Sequence, residues 1–161
     1  MLAQILQPAQ DARIAVHHDG AVVGMHAGRV AVHAVVPPAF ELAWNGEASI
    51  QLPHGLLSFA TRDGEGIASR GDARVRWSVK ARQGGERLTL DASRPRRALK
   101  SLMQEAGMPA WERDALPLVF CGDRLAAAPG IGTDVAFRAA SGAPGMVATW
   151  HARPAPENAL E

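Results

Sequence analysis

The sequence predicts an α+β fold made mainly of antiparallel β-strands, with one principal amphipathic helix packed on them. Short runs rich in Val and Ile are separated by turn residues such as Asp19-Gly20, which is typical of antiparallel strands. One stretch instead has apolar residues at i, i+3, i+4 and i+7, the spacing of one helix face. These positions are Leu99, Leu102, Met103 and Ala106. A chain of 161 residues that is 47% hydrophobic and 20% charged is typical of a soluble protein with one domain or two small modules.

Residues 1–72 are predicted to form a β-rich module. The first residues, "MLAQIL", look like the end of a helix, and β-branched runs then continue up to Pro37-Pro38. Asn45-Gly46 is a strong signal for a two-residue hairpin turn. The strands on either side of residues 53–55 are expected to face each other. The glycine-rich, charged segment "RDGEGIASRGD" places a module boundary near residue 72.

Residues 73–153 are predicted to form a second, basic module, and residues 154–161 a tail. A strand around Trp77 leads through the turn "RQGGERL" into a short second strand. Pro95 favours a helix start, and the Gly-x-Pro stretch after the apolar stripe ends that helix, which therefore covers residues 95–106. A short helical turn, "AWERDAL", and four strands follow: "PLVF", "RLAAA", "DVAFRA" and "MVATWHA".

The charge of the chain is concentrated in one segment. Residues 74–113 contain ten basic and four acidic side chains, a local charge of +6, whereas the remainder sums to −5. Four cations surround the predicted helix start: Arg94, Arg96, Arg97 and Lys100. A helix start already has partial positive charge, so we expect an anion such as a phosphate to bind there. The alternative is a solvated helix face whose arginines pair with nearby acids.

Two further features lie close to this segment. Arg82 and Arg87 bracket Gly84-Gly85, which allow a ligand to approach the backbone closely. The alternative is a plain hairpin turn. Trp111 and Arg113 follow the predicted helix, where they offer a stacking surface or close the core, and we favour the core for Trp111.

Nothing in the sequence assembles an active site, so we assign no catalytic residue and no metal site. The six histidines lack ligand spacing, and the adjacent His17 and His18 point to opposite faces of a strand. The single cysteine, Cys121, excludes an internal disulfide and a thiolate cluster, and its apolar strand favours a packed thiol. "GIGTDV" lacks the third glycine of a dinucleotide-binding fingerprint, and neither a Walker A stretch nor a Gly-x-Ser-x-Gly elbow occurs.

The sequence also predicts a cytoplasmic protein without a membrane partner. No apolar run approaches the roughly 20 residues of a membrane helix. The N-terminus lacks the charged region and the long apolar region of a signal peptide.

The basic segment resembles a known family. The stretch "KARQGGERLTLDASRPRRALKSLMQEAGMPAWERDALPLVFCGDRLAAAPGIG" is similar to the C-terminal domain of bacterial tRNA(Ile)-lysidine synthetase. The resemblance lies in the order Arg-x-Gly-Gly-Glu-Arg, a basic segment before Leu-x-x-Leu-x-Gln-Glu-Ala-Gly, then Pro-x-Trp-x-Arg-Asp-x-Leu-Pro-Leu, Gly-Asp and Pro-Gly. "HHDGAVVGMHAGRVAVH" and "LPHGLLSFATRDGEGIA" resemble the β-rich region that precedes it in the same family.

The resemblance implies an enzyme that ligates lysine to C2 of the wobble cytidine, position 34 of the anticodon, in tRNA(Ile). This ATP-dependent ligation changes the identity of the tRNA from methionine to isoleucine. The family's Ser-Gly-Gly-x-Asp-Ser phosphate loop is absent from this sequence. The resemblance therefore places ATP and Mg²⁺ in an N-terminal catalytic domain that this chain lacks. We expect this chain to bind no cofactor and to be inactive alone.

The resemblance also implies the partners of the chain, which are tRNA(Ile) and the catalytic domain of the same polypeptide. The predicted tRNA-binding residues are the basic positions within the matched motifs: Arg82, Arg87, Arg94, Arg96, Arg97, Lys100 and Arg113. One alternative is a structural module that orients the catalytic domain and makes no RNA contact. Another is a free-standing enzyme of unknown class, against which the missing catalytic residues argue.

Overall fold

The computed structural model describes residues 15–18, 21–34, 37–68 and 74–154. These residues form four antiparallel sheets and two short helices. The predicted mainly antiparallel β architecture is confirmed. The predicted helix end at "MLAQIL", the module boundary near residue 72 and most of the predicted tail lie outside the described residues.

The strands, in chain order, are β1 (Ala15–His18), β2 (Ala21–His26), β3 (Arg29–Ala34), β4 (Glu41–Ala43), β5 (Ser49–Leu52), β6 (Gly55–Asp63), β7 (Ile67–Ala68), β8 (Trp77–Lys80), β9 (Arg87–Leu88), β10 (Arg97–Ala98), β11 (Leu118–Cys121), β12 (Arg124–Ala128), β13 (Gly132–Thr133) and β14 (Pro144–Ala152). The helices are α1 (Leu99–Glu105) and α2 (Ala110–Ala115), between β10 and β11. Strands β1 to β3 form a meander, and β9 pairs with β10. A four-stranded sheet has the order β5-β6-β14-β7, and a five-stranded sheet has the order β13-β12-β11-β8-β4.

Strands from both sides of the predicted boundary near residue 72 pair with each other. The long strand β6 pairs with β14 from Gly55↔Ala152 to Asp63↔Pro144. Strand β4 likewise pairs with β8. The residues before and after the predicted boundary therefore share two sheets.

The five-stranded sheet buries residues on both of its faces, because successive side chains of a strand point to opposite sides. In β11, Leu118 packs into a core with α1 and β9, whereas its neighbour Val119 packs into a second core with the four-stranded sheet. A bulge at Ala126 shifts the pairing of β12 by one residue between Val119↔Ala127 and Phe120↔Leu125. The bulge explains why Leu125 and Ala127, two residues apart, contribute to different cores.

Helix α1 is shorter than predicted and begins at Leu99, four residues after Pro95. Two interactions compete with an earlier start. Arg97 and Ala98 are paired with β9, and the Leu99 N–H donates to the carbonyl of Glu86 at 2.9 Å. The prediction of the helix start at Pro95 was therefore wrong, because strand pairing at a distance overrides the local proline signal.

The prediction of one principal helix is not confirmed, because α1 has seven residues and α2 has six. The predicted apolar face is nevertheless present in α1. Leu99, Leu102 and Met103 are buried in the core between α1 and the five-stranded sheet. The fourth predicted position, Ala106, follows the last residue of α1 and is exposed.

The predicted hairpin at Asn45-Gly46 was also wrong, since β4 and β5 belong to different sheets. Burial of Trp44 separates the two strands: its ring is 1% exposed and stacks on Phe59, with the ring centroids 4.1 Å apart. Its indole N–H donates to the carbonyl of Glu47 at 3.0 Å. The buried indole determines the chain path more strongly than the local turn signal does.

The segment "DVAFRA" forms turns where a strand was predicted. The Asp134 carboxylate accepts hydrogen bonds from the N–H groups of Thr89 and Ala136, each at 2.9 Å. The Phe137 N–H donates to the Asp134 carbonyl, also at 2.9 Å. Asp favours such local bonds over a strand ladder.

His54 connects the β5–β6 turn to the end of α2. Its Nε2 lies 2.8 Å from the carbonyl oxygen of Ala115, and because a carbonyl only accepts, Nε2 carries the proton. The ring is 3% exposed and lies between Trp150 and Phe40. Burial lowers the pKa of His54 and outweighs the opposing effect of the Ala115 hydrogen bond.

We expect Leu99→Ala to lower the free energy of unfolding by about 2–5 kcal/mol, because Leu99 is fully buried and its truncation leaves a cavity. Lys100→Ala is the matched control, since Lys100 is exposed and adjacent, and we expect it to change stability by less than about 0.5 kcal/mol. Urea unfolding of both variants measures the difference. Equal midpoints would show that α1 does not pack as described.

We expect His54 to make the stability depend on pH. Since the pKa of His54 is lowered in the folded state, its stabilising contribution is present above the unfolded value of 6.5 and is lost as the pH falls from there through the folded pKa. Urea midpoints measured from about pH 7.5 to pH 5 test this, with His54→Gln as the non-titrating comparison. The decline should be smaller in the variant, and identical declines would exclude His54 as its source.

Candidate nucleic-acid interface

The predicted tRNA-binding residues lie on several neighbouring elements. Arg87 is in β9, Arg97 is in β10, and Lys100 is the second residue of α1. The other four lie in the loops before β9 and β10 or in α2: Arg82, Arg94, Arg96 and Arg113. The chain leaves β10 directly into α1, so the junction of β9, β10 and α1 holds three of the seven residues.

Two of these residues form the closest ion pairs of the region. Arg97 donates from Nη1 to Glu105 Oε2 at 3.0 Å and from Nη2 to Glu105 Oε1, so the pair is bidentate. These hydrogen bonds lower the pKa of the Glu105 carboxyl. Arg82, whose side chain is 11% exposed, lies 3.2 Å from the Asp114 carboxylate and 3.8 Å from that of Glu86.

Arg94 forms a looser pair. Its Nε lies 3.7 Å from Asp91, while its side chain stays 75% exposed. Asp91 also accepts hydrogen bonds from the hydroxyl and the N–H of Ser93, and these bonds lower the pKa of its carboxyl. The Asp91–Ser93 turn directs the chain away from the helical conformation before Pro95.

Three of the seven residues are exposed and make no ion pair with a carboxylate among the described residues: Arg87, Arg96 and Lys100. Arg87 is tethered, because its Nη2 donates to the carbonyl oxygen of Arg96 at 2.8 Å. This bond uses one of its five guanidinium N–H groups. The positive charges of Arg87, Arg96 and Lys100 are therefore available to an external anion.

The helix start that the sequence predicted at Pro95 is not formed, and the cations instead flank the junction of β10 and α1, with Lys100 as the second residue of α1. Arg94, Arg96 and Arg97 precede α1, and the first N–H of the helix is bonded to Glu86. The exposed cations at this junction are therefore side chains of β9, of the loop before β10 and of α1, namely Arg87, Arg96 and Lys100.

The Gly84-Gly85 turn has a closed backbone. Both glycines have positive φ, at 97° and 82°, which L-residues with side chains rarely adopt. The Glu86 carboxylate accepts the N–H groups of Gln83 at 2.6 Å and Gly84 at 2.9 Å, so these amides are already bonded within the chain. The turn is not a plain hairpin either, because β8 pairs with β4 and β11 and not with β9.

Trp111 and Arg113 are half-buried in α2. Trp111 lines a cavity of about 530 Å³ together with His54 and Trp150. Trp111 in α2 therefore borders the same cavity as Trp150 in β14, and it is half-buried where a core position was favoured.

Sequence reasoning left open that the arginines pair with nearby acids, but it did not say which acids, and the structure gives Glu86, Asp91, Glu105 and Asp114. Two signals were present in the sequence. Arg82 and Glu86 are four residues apart, and Asp-x-Ser is a common turn former. The described residues contain no group of three or more His, Cys, Asp or Glu side chains placed to hold a metal ion. Neither described helix has the length and apolar character that crossing a membrane requires.

Similarity to known proteins covers this same region. The family model for the TilS substrate C-terminal domain matches residues 77–150, which include the seven predicted residues and both helices. The chain carries a TilS substrate C-terminal domain. A solved structure titled "Crystal structure of TILS C-terminal domain" superimposes with a TM-score of 0.57 and 22% identity, covering 73% of this chain and 99% of that chain. At this identity the superposition shows a shared fold.

Curated relatives of this TilS C-terminal domain are tRNA(Ile)-lysidine synthases. The protein from Nitrosomonas europaea is 37% identical over 116 residues, which cover 71% of this chain and 25% of the relative. The protein from Ralstonia nicotianae is 48% identical over 83 residues, which cover 50% of this chain and 17% of the relative. The chain thus spans a quarter or less of the length of these two relatives.

Proposed function

We propose that this chain is the tRNA-binding C-terminal part of a tRNA(Ile)-lysidine synthetase. One observation carries the proposal: Arg87, Arg96 and Lys100 are exposed without an ion pair among the described residues, within the region that the family model matches. The curated relatives support the identity of the substrate, because their names specify tRNA(Ile).

The chemistry of these side chains suits phosphate. A guanidinium donates in a planar fork that matches phosphate oxygens, and an ammonium acts as a compact point charge. Contacts of this kind position an RNA without reading its sequence. Discrimination would then come from the shape of the RNA and from contacts to unpaired bases. The three residues therefore act in docking the tRNA.

In the proposed enzyme, lysine is joined to C2 of cytidine 34 of tRNA(Ile) in an ATP-dependent reaction that changes the tRNA's identity from methionine to isoleucine. This chain contributes binding and no catalytic group. We assign ATP and Mg²⁺ to the catalytic domain of the full-length protein, since the Ser-Gly-Gly-x-Asp-Ser phosphate loop does not occur in this sequence. Action on a tRNA places the protein in the cytoplasm.

A second candidate function is a structural module that orients the catalytic domain. The same three cations favour it, because an acidic surface of another domain is also a suitable partner. The strength of tRNA binding by the isolated chain and its dependence on salt separate the two functions, since RNA binding releases counterions from the phosphates.

We expect the triple variant Arg87→Gln, Arg96→Gln, Lys100→Gln to weaken tRNA(Ile) binding. The slope of log affinity against log salt should become shallower by up to about 3 units if each side chain contacts one phosphate. The matched control removes three exposed arginines elsewhere: Arg29→Gln, Arg62→Gln and Arg153→Gln. Filter binding or fluorescence anisotropy at several salt concentrations gives both quantities.

The control variant is needed because it loses the same net charge. A weaker affinity and a shallower slope in the first variant alone support the docking surface. Equal effects in both variants would indicate general attraction by net charge, and unchanged binding in both would favour the structural module.

A further inference from the structure

Glu86 is an acid with a largely buried side chain within the basic segment. Its side chain is 8% exposed, although it directly precedes the exposed Arg87. Acidic side chains are seldom buried unless they are paired. The carboxylate here has three partners, since it accepts the N–H groups of Gln83 and Gly84 and lies 3.8 Å from Nε of Arg82.

These partners compensate the negative charge of Glu86 inside the chain. Arg82 in turn lies 3.2 Å from Asp114 in α2, so the loop is connected to that helix. A carboxylate whose charge is compensated by an arginine and two N–H donors repels an approaching phosphate less than an uncompensated one does. Its presence beside Arg87 is therefore compatible with binding of a polyanion.

The backbone of Glu86 is held as well. Its carbonyl oxygen accepts the N–H of Leu99 at 2.9 Å, which joins the loop to the first residue of α1. The next residue, Arg87, is paired with Ala98 in the β9–β10 sheet, and its side chain is tethered to the carbonyl of Arg96. Side chain and backbone of Glu86 thus restrain the same short segment from two directions.

We infer that Glu86 is a positioning residue for the RNA contact, and that it acts by holding Arg87 in the orientation that meets a phosphate. The inference rests on the proposed function and deepens it. In this arrangement Arg82 acts as the counterion of Glu86 and not as a phosphate ligand. The Arg-x-Gly-Gly-Glu-Arg stretch therefore contains the Gly84-Gly85 turn, Glu86, whose carboxylate holds that turn, and Arg87, which Glu86 orients.

Preorganisation has a measurable effect, because an unrestrained arginine must be ordered when it binds. Ordering one long side chain corresponds to roughly a three- to tenfold change in affinity. Glu86→Gln keeps the size of the side chain but removes the negative charge that interacts with Arg82 and with the N–H groups of Gln83 and Gly84. We expect this variant to bind tRNA(Ile) about three- to tenfold more weakly.

A double-mutant cycle tests whether the effect passes through Arg87. Glu86→Gln is measured in the unmodified chain, in the Arg87→Gln background and in the Arg153→Gln background, which serves as the control. The loss should persist in the control background and shrink to within about twofold of no change in the Arg87→Gln background. The same loss in all three backgrounds, or no loss in the unmodified chain, would overturn the inference.

A second measurement needs no RNA. ¹⁵N relaxation of the Arg87 Nε–Hε group in the free chain should show a restrained side chain, and a mobile one in Glu86→Gln; equal mobility in the two chains overturns the inference. If the unmodified chain does not bind tRNA(Ile), the proposed function fails, and the relaxation result still decides whether Glu86 restrains the Arg87 side chain. Where Glu86→Gln does not fold, Glu86→Asp replaces it with the same outcomes, because its shorter carboxylate withdraws from the amides of Gln83 and Gly84.

Discussion

The five-stranded sheet must bury both of its faces, and the rest of the described structure depends on this constraint. Leu118 and Val119, adjacent in β11, pack into different cores. One face is covered by α1 and β9, and the other by the four-stranded sheet. Trp150 packs against both cores, and it comes from β14, which pairs with β6 along its whole length. Removing either cover would expose one row of apolar side chains.

The candidate interface is a consequence of how the first face is covered. Because α1 packs its apolar residues inwards, Lys100 remains on the outside. Because β9 pairs with β10, Arg87 lies next to the carbonyl of Arg96. Glu86 joins these elements through the N–H of Leu99. The same short segments therefore contribute buried side chains to the core and exposed charges to the candidate interface. For this reason a substitution at Leu99 is expected to change stability, whereas one at the adjacent Lys100 is expected to change binding.

Local patterns in the sequence predicted most of the longer strands and three positions of the apolar face of α1, since Leu99, Leu102 and Met103 are buried as their spacing indicated. They did not predict where α1 begins, because the competing partner, Glu86, is thirteen residues away from Leu99 and its backbone contact leaves no local signal. The failed hairpin at Asn45-Gly46 has the same origin in the distant burial of Trp44 against Phe59. The composition of the sequence showed the basic segment. Which of its cations pair with a carboxylate could be decided only from the positions of the acids in the fold.

We propose that the exposed arginines at the β9–β10 junction contact tRNA phosphate. Side-chain Nε–Hε resonances of the ¹⁵N-labelled chain, recorded while tRNA(Ile) is added, test it most directly, because they report on each guanidinium separately. We expect the signals of Arg87 and Arg96 to shift or broaden early in the titration, while those of Arg62 and Arg138 stay unchanged. Early changes at Arg62 or Arg138, with Arg87 and Arg96 unaffected, would contradict it.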